Sequence, residues 1–280
     1  GFKEVAAPSE DEFDLVAPRF SVPNAFEQIF SATRYDRLTH AYGKSSADTL
    51  RLLMRQVPHA PDYVAFPKLE NDVQSILDWA ADANVAVIPF GGGTSVCGGV
   101  EADIGDAYAG TVSLDMQYFD KVLEIDRTSR AARIQAGLNG TEVESLLRPH
   151  GLTLRHFPQS FQFSTVGGWI ATRAGGHYAS LYTHIDDFVE SIRMVTPQGT
   201  MESRRLPGSG AGPSADRMMI GSEGMLGVIT ESWLRLQDRP TFRGSASVQF
   251  DDFSTAVQCV RALSQSALFP TNCRLLDQEE

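Results

Sequence analysis

Three consecutive glycines at residues 91–93, directly after an apolar run, constrain this chain more than any other feature of its sequence. The run at residues 85–88 is short, rich in β-branched residues and followed by Pro89, so it predicts a buried strand. The glycine backbone accepts positive φ angles and allows a ligand to approach closely. Successive N–H groups in such a turn bind anions, and the hydroxyls of Thr94 and Ser95 add donors. We therefore expect a loop that binds a diphosphate, with a plain surface turn as the alternative.

The glycine triplet does not fit the named nucleotide-binding patterns. Its surroundings contain neither a correctly spaced GxGxxG nor the GK[ST] that ends a P-loop. The sequence therefore argues against a dinucleotide-binding Rossmann turn and against a P-loop nucleotide triphosphatase.

The residues before the triplet predict a strand–helix–strand unit. A first strand is expected at residues 63–66, and apolar residues at helical spacing predict a helix over residues 70–84. Asn71 is the expected N-cap of this helix and Asn84 its expected stop. Two strands joined through a helix lie parallel, so the glycines should lie at the carboxyl end of the second strand. Ligands of open α/β sheets bind at that edge, which favours the diphosphate interpretation.

Two further glycine-rich stretches follow along the chain. Residues 157–176 place two glycine pairs around a short apolar piece, which permits close approach of the backbone to a flat or charged group. A glycine-broken helix packed on a sheet is the alternative for this stretch. Arg173 is interpreted either as a phosphate clamp or as a capping charge. A third glycine loop, residues 221–224, is expected between a short helix and a strand at residues 226–230.

From residue 111 the pattern changes to alternating strands. Turn residues separate three segments that predict hairpin-like antiparallel strands, at residues 111–116, 121–126 and 130–137. A second α+β lobe is therefore expected from residue 112 onward. Its other predicted elements are a helix at 141–150 opened by a Thr141/Glu144 capping box, a strand at 188–196, a strand at 245–250 and a helix capped by Ser254.

Composition and charge limit the classes of function. The 280-residue chain has a formal net charge of −11, which argues against a nucleic acid or an anionic membrane as its main partner. No apolar run approaches the roughly 20 residues of a membrane span. The three cysteines are far apart, which suits a reducing compartment and gives neither a disulfide framework nor a CxxC metal site. Since the first residues also lack the apolar segment of a signal peptide, we expect a cytoplasmic protein without a bound metal.

Three separate motifs, in this order, resemble the FAD-binding domain of the vanillyl-alcohol-oxidase-like (PCMH-type) flavoproteins. They are PFGGGTSV at residues 89–96, FSTVGGWIATRAGG at residues 163–176 and GSEGMLGVIT at residues 221–230. Within this family the chain most resembles the branch of alkyldihydroxyacetonephosphate synthases, because VGGW is followed by TR and later by SLDMQ, MVTPQG and RLLDQ. Gly175 and Gly176 depart from the Ser-Gly of that branch and match the hydroxyacid dehydrogenases of the same family.

The resemblance implies an α+β fold, namely a two-subdomain PCMH-type FAD-binding domain with only the start of a C-terminal cap domain. The implied division is an N-terminal arm with helices at 1–57, a first FAD-binding subdomain at 58–111, a second at 112–240 and the beginning of the cap at 241–280. The remainder of the cap is expected beyond Glu280. Within the arm, residues 25–30 predict a short helix, whereas residues 34–45 show no clear period.

The resemblance also implies non-covalent FAD, with contacts from all three motifs. The first motif would hold the diphosphate through Pro89, Phe90, Gly91, Gly92, Gly93, Thr94, Ser95 and Val96. The second would line the rest of the cofactor through Gln159, Ser160, Phe163, Ser164, Thr165, Gly168, Thr172, Arg173, Ala174 and Gly175. The third would contact the adenine end through Ser222, Glu223, Gly224, Leu226, Gly227, Val228 and Ile229. Gln159 stands where the family often has aspartate, and its amide can still donate and accept.

Arg274 is the catalytic candidate. The resemblance places it beside the flavin, where a fixed cation would stabilise negative charge on the reduced ring. A salt bridge within the cap is the alternative for this arginine. His156 and His177 flank the second glycine-rich stretch and are the candidates for covalent flavin attachment, which we do not expect.

The resemblance implies a flavoenzyme of ether-lipid synthesis that exchanges acyl for alkyl on a glycerone phosphate through a flavin adduct. The alternatives are an FAD-linked oxidoreductase of D-2-hydroxyacids or alcohols, and a flavin-binding fragment without activity of its own. We expect a small-molecule or lipid substrate and no nucleic acid. Peripheral membrane contact through the remainder of the cap and a homodimer are left open.

Overall fold

The computed structural model describes residues 6–178, 180–182, 184–206, 208 and 210–277, which form a mixed α+β fold. Its strands are β1 (Phe30–Ser31), β2 (Tyr63–Ala65), β3 (Val85–Phe90), β4 (Gly110–Asp115), β5 (Val122–Asp126), β6 (Ala131–Gln135), β7 (Leu152–Thr153), β8 (Val189–Thr196), β9 (Gly199–Glu202), β10 (Val228–Arg235) and β11 (Gln237–Asp238). Its helices are α1 (Arg34–Thr39), α2 (Ser46–Leu53), α3 (Glu70–Asp82), α4 (Gly140–Leu147), α5 (Val166–Thr172), α6 (Ala215–Met219) and α7 (Phe253–Gln265). None of the helices in this described part combines the length and apolar character needed to span a bilayer.

The first sheet has four strands in the order β1-β2-β4-β3. β2, β4 and β3 are parallel, and β1 pairs antiparallel with β2. α3 packs on this sheet through its buried side chains Val73, Ile76 and Ala80. The predicted parallel strand–helix–strand unit is therefore confirmed, and the glycine triplet does follow the carboxyl end of β3. β2 and β3 are not neighbours, however, because β4 lies between them.

The prediction that the strand at residues 111–116 begins an antiparallel hairpin is wrong. This segment forms β4, which is parallel to both of its neighbours. Its alternation of polar and apolar residues is typical of a strand with one solvent-exposed face, yet all six residues of β4 are buried. Thr111 tolerates burial because its hydroxyl donates to the Asp62 carboxylate at 3.3 Å. The division of the chain into four stretches stays a prediction, although its boundary at residue 112 falls inside β4.

The second sheet has five antiparallel strands in the order β5-β6-β10-β8-β9. α4 and α5 contribute to the larger apolar core, which includes Ile134, Leu147, Trp169 and Leu234. The predicted strands at 121–126, 130–137 and 188–196 are confirmed within a few residues. A short pair of strands, β7 and β11, extends this half of the molecule.

Helix starts were predicted less well than helix positions. The observed N-caps are Leu69 rather than Asn71, Asn139 rather than Thr141, and Asp252 rather than Ser254. At α4, the Asn139 side chain accepts from the N–H of Glu142, whose carboxylate accepts in return from the N–H of Asn139. Glu144, expected in the capping box, is buried and accepts from the Thr153 hydroxyl at 2.8 Å.

Two regions differ more strongly from expectation. α1 occupies residues that show no clear apolar period, and α2 occupies residues 46–53, for which no element was predicted. Caps at Thr33 and Ser45 define the starts of these two helices. Residues 25–30 form a 3₁₀ turn at Asn24–Phe26 followed by β1, not one short helix. The predicted strand at 245–250 is wrong, because this segment pairs with no strand in the described part of the chain.

The two sheets are joined by a polar contact between the first turn of α3 and strands β8 and β10. The Glu70 carboxylate accepts from Arg193 Nε and Nη2, both at 2.8 Å, and from the Thr230 hydroxyl at 2.5 Å. Burial alone would raise the pKa of Glu70, but these hydrogen bonds and the charge of Arg193 hold its pKa below the ordinary value. Val195 and Val228 of the second sheet also pack into the core of the first. The loop that follows β3 and the loop that precedes β10 are thus attached to two sheets that contact each other directly.

Asp62 ties the N-terminal arm to β4. Its carboxylate accepts from the backbone N–H groups of Arg19 and Thr111, at 2.8 and 2.7 Å, and from Arg19 Nη2 at 2.8 Å. Burial alone would raise the pKa of Asp62, but the hydrogen bonds and charge of Arg19 hold its pKa below the ordinary value.

We predict that Asp62→Asn lowers the free energy of unfolding by about 1–3 kcal/mol at pH 7, because an amide cannot accept all of these bonds. The folded-state pKa of Asp62 lies below that of the unfolded chain, about 3.9. Its contribution is therefore complete above the unfolded-state value and disappears as the pH falls through the folded-state pKa. Urea unfolding from neutral to acid pH measures the difference, which should shrink on acidification.

Asp14→Asn is the control for this measurement. Asp14 lies in the same arm, is exposed, and makes no hydrogen bond or ion pair with the rest of the described chain. Its substitution should leave the unfolding free energy within about 0.5 kcal/mol of the unchanged protein. An Asp62→Asn deficit that persists undiminished at acid pH would contradict the assigned role.

Candidate functional site

The three glycine-rich segments meet at one place. We call residues 89–96 the first loop, residues 159–175, which include α5, the second loop, and residues 221–229 the third loop. A Cβ added at Gly92 would lie 1.8 Å from the carbonyl oxygen of Phe163, and one added at Gly91 would lie 2.3 Å from Thr165 Oγ1. At Gly92 the first and second loops therefore lie so close together that no residue with a side chain fits there.

The third loop contacts both of the others. The N–H of Gly221 donates to the carbonyl of Ile170 at 3.0 Å, and the N–H of Glu223 donates to the carbonyl of Ala171 at 2.9 Å. On the other side, a Cβ added at Gly224 would lie 3.1 Å from Pro89 Cγ. Three segments that lie far apart in the sequence thus form one continuous surface.

The backbone amides of the first loop are available to a ligand. Within the described part of the chain, none of the N–H groups of residues 91–96 donates a hydrogen bond. The loop is partly buried, and Gly93 is fully so, with a φ of 61°. Partly buried N–H groups require acceptors, and a diphosphate supplies several on one small anion.

The hydroxyl groups of the site differ in whether they have a hydrogen-bond partner among the described residues. Ser164 accepts from the Trp169 indole N–H at 2.7 Å, Thr165 caps α5, and the Thr172 hydroxyl donates to the Gly168 carbonyl at 2.9 Å. Ser222 Oγ is buried and has no partner within the described residues. Such a buried hydroxyl is expected to hydrogen-bond a ligand or water.

The remaining candidate residues contribute in different ways. Val228 and Ile229 point into the two apolar cores, so only their backbone groups remain for a cofactor. Gln159 is exposed, and the Ser160 carbonyl accepts from the Ser164 hydroxyl at 3.0 Å. Assignment of all these residues to FAD stays a prediction, but the structure brings the loops that carry them together.

One large apolar side chain is exposed on each loop. Val96, Phe163 and Met225 are 69%, 67% and 82% exposed, and Leu226 beside the last is 40% exposed. Exposed apolar side chains that converge on one surface indicate a contact site for an apolar group. Met225 was not expected from the sequence, although it stands inside the third motif.

Arg173 has a structural role at the end of α5. It adopts a left-handed backbone conformation with φ 53°, and its Nη2 lies 2.8 Å from Asp186 Oδ2. The same carboxylate pairs with Arg217. Burial would raise the pKa of Asp186, but the hydrogen bond and charge of Arg173 hold its pKa below the ordinary value. This geometry favours the capping interpretation over the phosphate clamp.

The two histidines that flank the second loop differ in access. His156 is buried between the rings of Trp169 and Phe188, at centroid distances of 5.1 and 5.7 Å. Burial, with a smaller effect from nearby His184, lowers the pKa of His156 to about 4, so its ring is neutral at pH 7. His177 is exposed, and its Nδ1 lies 2.7 Å from Arg274 Nη2. Arg274 therefore lies next to the end of the second loop, and its catalytic role stays a prediction.

Residues 40–44 lie behind the first loop, which was not expected from the sequence. The Lys44 N–H donates to the Ser95 carbonyl at 2.7 Å, and a Cβ added at Gly43 would lie 2.0 Å from the same oxygen. The described residues contain no group of three or more His, Cys, Asp or Glu side chains that could hold a metal ion. A large open cleft of about 2590 Å³ lies between α7 with its flanking segments and the region around α4, and both Phe161 of the second loop and Arg274 line it.

Taken by itself, the geometry suits FAD. Within the described part of the chain, the N–H groups of residues 91–96 are unpaired and match a diphosphate, and the buried Ser222 hydroxyl lacks a partner. The exposed apolar side chains match a flat ring. Glycine cradles at Gly91 and Gly92 leave no room for side chains.

Comparison with known proteins gives the same identification. The family described as "FAD binding domain" matches residues 61–203. The chain is 39% identical over 244 residues to alkyldihydroxyacetonephosphate synthase of Dictyostelium discoideum, covering 87% of this chain and 40% of that protein. It is 34% identical over 277 residues to the protein of the same name from Caenorhabditis elegans, covering 99% and 45%.

A solved structure of an alkyldihydroxyacetonephosphate synthase superposes with a TM-score of 0.84 at 34% identity, covering 95% of this chain and 51% of that one. The chain thus spans about half the length, or somewhat less, of the relatives it matches.

We predict that Gly92→Val abolishes FAD binding while the protein stays folded. The added Cβ would lie 1.8 Å from the Phe163 carbonyl oxygen, so the first and second loops must separate. Titration followed by flavin fluorescence measures the binding, and far-UV circular dichroism reports the fold.

Gly208→Val is the matched control, because nothing lies within 4 Å of a Cβ added at Gly208. It should bind FAD as the unchanged protein does. Retention of full FAD affinity by Gly92→Val would show that the junction of the two loops is not the site.

Proposed function

Since this chain belongs to the family of flavoenzymes with this FAD-binding domain, we propose that it is the FAD-holding part of an alkylglycerone-phosphate synthase. The observation that carries the proposal is the junction of the three loops. Its amides at residues 91–96 have no partner among the described residues, and each loop exposes an apolar side chain. The relatives named alkyldihydroxyacetonephosphate synthase support the substrate class.

The residues of this chain would bind and orient the cofactor. The amides of the first loop would bind the diphosphate, and the Ser222 hydroxyl would donate a further hydrogen bond. Hydrogen bonds to charged groups contribute roughly 1.5–3 kcal/mol each, so four or five supply much of the roughly 12 kcal/mol of a nanomolar complex, before ordering costs. Val96, Phe163 and Met225 would cover apolar surface and exclude water. When bound, FAD supplies a ring that accepts and returns an electron pair.

Arg274 would hold a positive charge near the reacting groups. Its guanidinium lies against His177 at the end of the second loop and forms no ion pair with a carboxylate in the described part of the chain. A cation fixed at such a site stabilises negative charge that develops during the reaction.

The proposed reaction exchanges the acyl group of an acylated glycerone phosphate for an alkyl group. A long-chain alcohol enters, a carboxylic acid leaves with the proton of the alcohol, and no external electron acceptor is consumed. We propose a cytoplasmic enzyme with this lipid-linked substrate and without a nucleic-acid partner, which the net charge of −11 supports. Peripheral membrane contact and a homodimer are part of the same proposal.

An oxidoreductase of D-2-hydroxyacids is the second candidate. Gly175 and Gly176 favour it, because the hydroxyacid dehydrogenases that the sequence resembles carry the same glycine pair. Such an enzyme would require an electron acceptor, which separates the two candidates by experiment.

We predict that the purified native protein shows flavin absorbance, and that acid precipitation releases the flavin into the supernatant. His156 lies inside the apolar core, and the other flanking histidine, His177, contacts Arg274. Spectra of pellet and supernatant measure the release. Flavin retained in the pellet would contradict non-covalent binding, and a protein that neither carries flavin nor binds added FAD would contradict the cofactor.

We further predict that the full-length native protein incorporates a labelled long-chain alcohol into acylated glycerone phosphate. The product should resist alkaline hydrolysis, because an ether replaces the ester, and dye reduction should not accompany it. Gly92→Val should lose the activity, whereas Gly208→Val should keep it. Dye reduction with D-2-hydroxyacids, without incorporation of alcohol, would favour the oxidoreductase.

A further inference from the structure

A buried histidine stands behind the first loop and takes no part in the proposed chemistry. His40 follows α1 and is 6% exposed, and the next two residues, Ala41 and Tyr42, are 0% and 2% exposed. This segment lies outside residues 61–203, which match the FAD-binding-domain family. It nevertheless contacts the first loop directly through Gly43 and Lys44.

Both ring nitrogens of His40 face hydrogen-bond acceptors. Nδ1 lies 2.7 Å from the carbonyl oxygen of Asp36, and Nε2 lies 3.0 Å from Asp115 Oδ2. Asp115 ends β4, and its other carboxylate oxygen accepts from the N–H of Gln117 at 2.8 Å. The imidazole is therefore fixed in orientation by contacts with α1 on one side and with the end of β4 on the other.

The fixed imidazole supports the aromatic ring on which the first loop rests. The ring centroids of His40 and Phe90 are 4.2 Å apart. The Phe90 ring also lies against Gly93, where an added Cβ would be 2.4 Å from Phe90 Cζ. The chain of contacts from Asp115 through His40 and Phe90 thus ends at Gly93, the last glycine of the triplet.

The first loop depends on such outside support, because the N–H groups of residues 91–96 donate no hydrogen bond within the described chain. It is held through Ser95, which accepts from Lys44, through the ring of Phe90, and through packing against Phe163 and Thr165. Two of these contacts involve residues 40–44, because Lys44 donates to Ser95 and the Phe90 ring packs against His40.

We propose that His40 is a positioning residue for the diphosphate loop, acting through Phe90 without touching the cofactor. This inference rests on the proposed binding of FAD at the first loop. It assigns to residues 40–44 a part in cofactor affinity that the matched domain alone would lack. A loop held in its bound conformation loses less ordering free energy when the ligand binds, which is how a residue behind the loop raises affinity.

The test compares His40→Leu with His40→Gln in the full native protein. The two replacements have similar size, but only glutamine keeps a donor for one of the facing acceptors. FAD binding is followed by flavin fluorescence, and ADP, which carries the same diphosphate, is measured by competition. We expect His40→Leu to weaken both ligands roughly tenfold to a hundredfold, the effect of one misplaced donor to a charged group. His40→Gln should recover part of this loss.

Leu147→Ala is the control for a general loss of stability, because Leu147 is fully buried in the core of the second sheet and contacts none of the three loops through a hydrogen bond. It should lower the thermal midpoint without weakening FAD or ADP. Binding by His40→Leu within twofold of the unchanged protein would overturn the proposal, as would equal weakening by Leu147→Ala. If the unchanged protein binds neither ligand, the proposed function itself fails.

Discussion

The closest backbone approach in the site, between Gly92 and the carbonyl oxygen of Phe163, is the constraint on which the arrangement of the three loops depends. At 1.8 Å from the position of a Cβ, it allows only glycine. It brings a loop of the parallel sheet against a loop that precedes α5 on the antiparallel sheet. Because residues 91–96 and 159–165 form no regular element, their mutual contact defines the surface that the third loop then completes through Gly221 and Glu223.

That contact is possible only because the two sheets are held together elsewhere. Glu70 lies on the first turn of α3, and Arg193 and Thr230 lie on two neighbouring strands of the second sheet. The hydrogen bonds among them are partly buried, where an unpaired carboxylate would be costly. Packing of Val195 and Val228 into the first core adds apolar contact beside this polar one. Polar and apolar contacts together thus position loops that are far apart in sequence.

Sequence patterns predicted local elements and motifs well, but they predicted contacts between distant segments of the chain poorly. The strand at β3, the helix at α3 and the three glycine motifs follow from periodicity and from the steric freedom of glycine. The place of β4 does not, because Thr111 and Ser113 give it the pattern of a strand with one solvent-exposed face although both are buried in a central strand of the sheet. α1 was missed because its buried residue Arg37, and His40 directly after the helix, break the apolar period. Their partners are backbone carbonyls and a distant aspartate, which no local pattern contains.

The features that make the first loop suitable for a diphosphate also make it dependent on its surroundings. If the N–H groups of the loop donated to carbonyls within the turn, they would hold the loop but leave no donors for a ligand. In the described chain, however, the N–H groups of residues 91–96 are unpaired. The loop is therefore stabilised by contacts with residues 40–44, which involve the Phe90 ring and the Ser95 carbonyl, and by the bound ligand. A ligand that binds only the folded protein stabilises it by mass action, so the cofactor and the segment behind the loop act on the same conformational equilibrium.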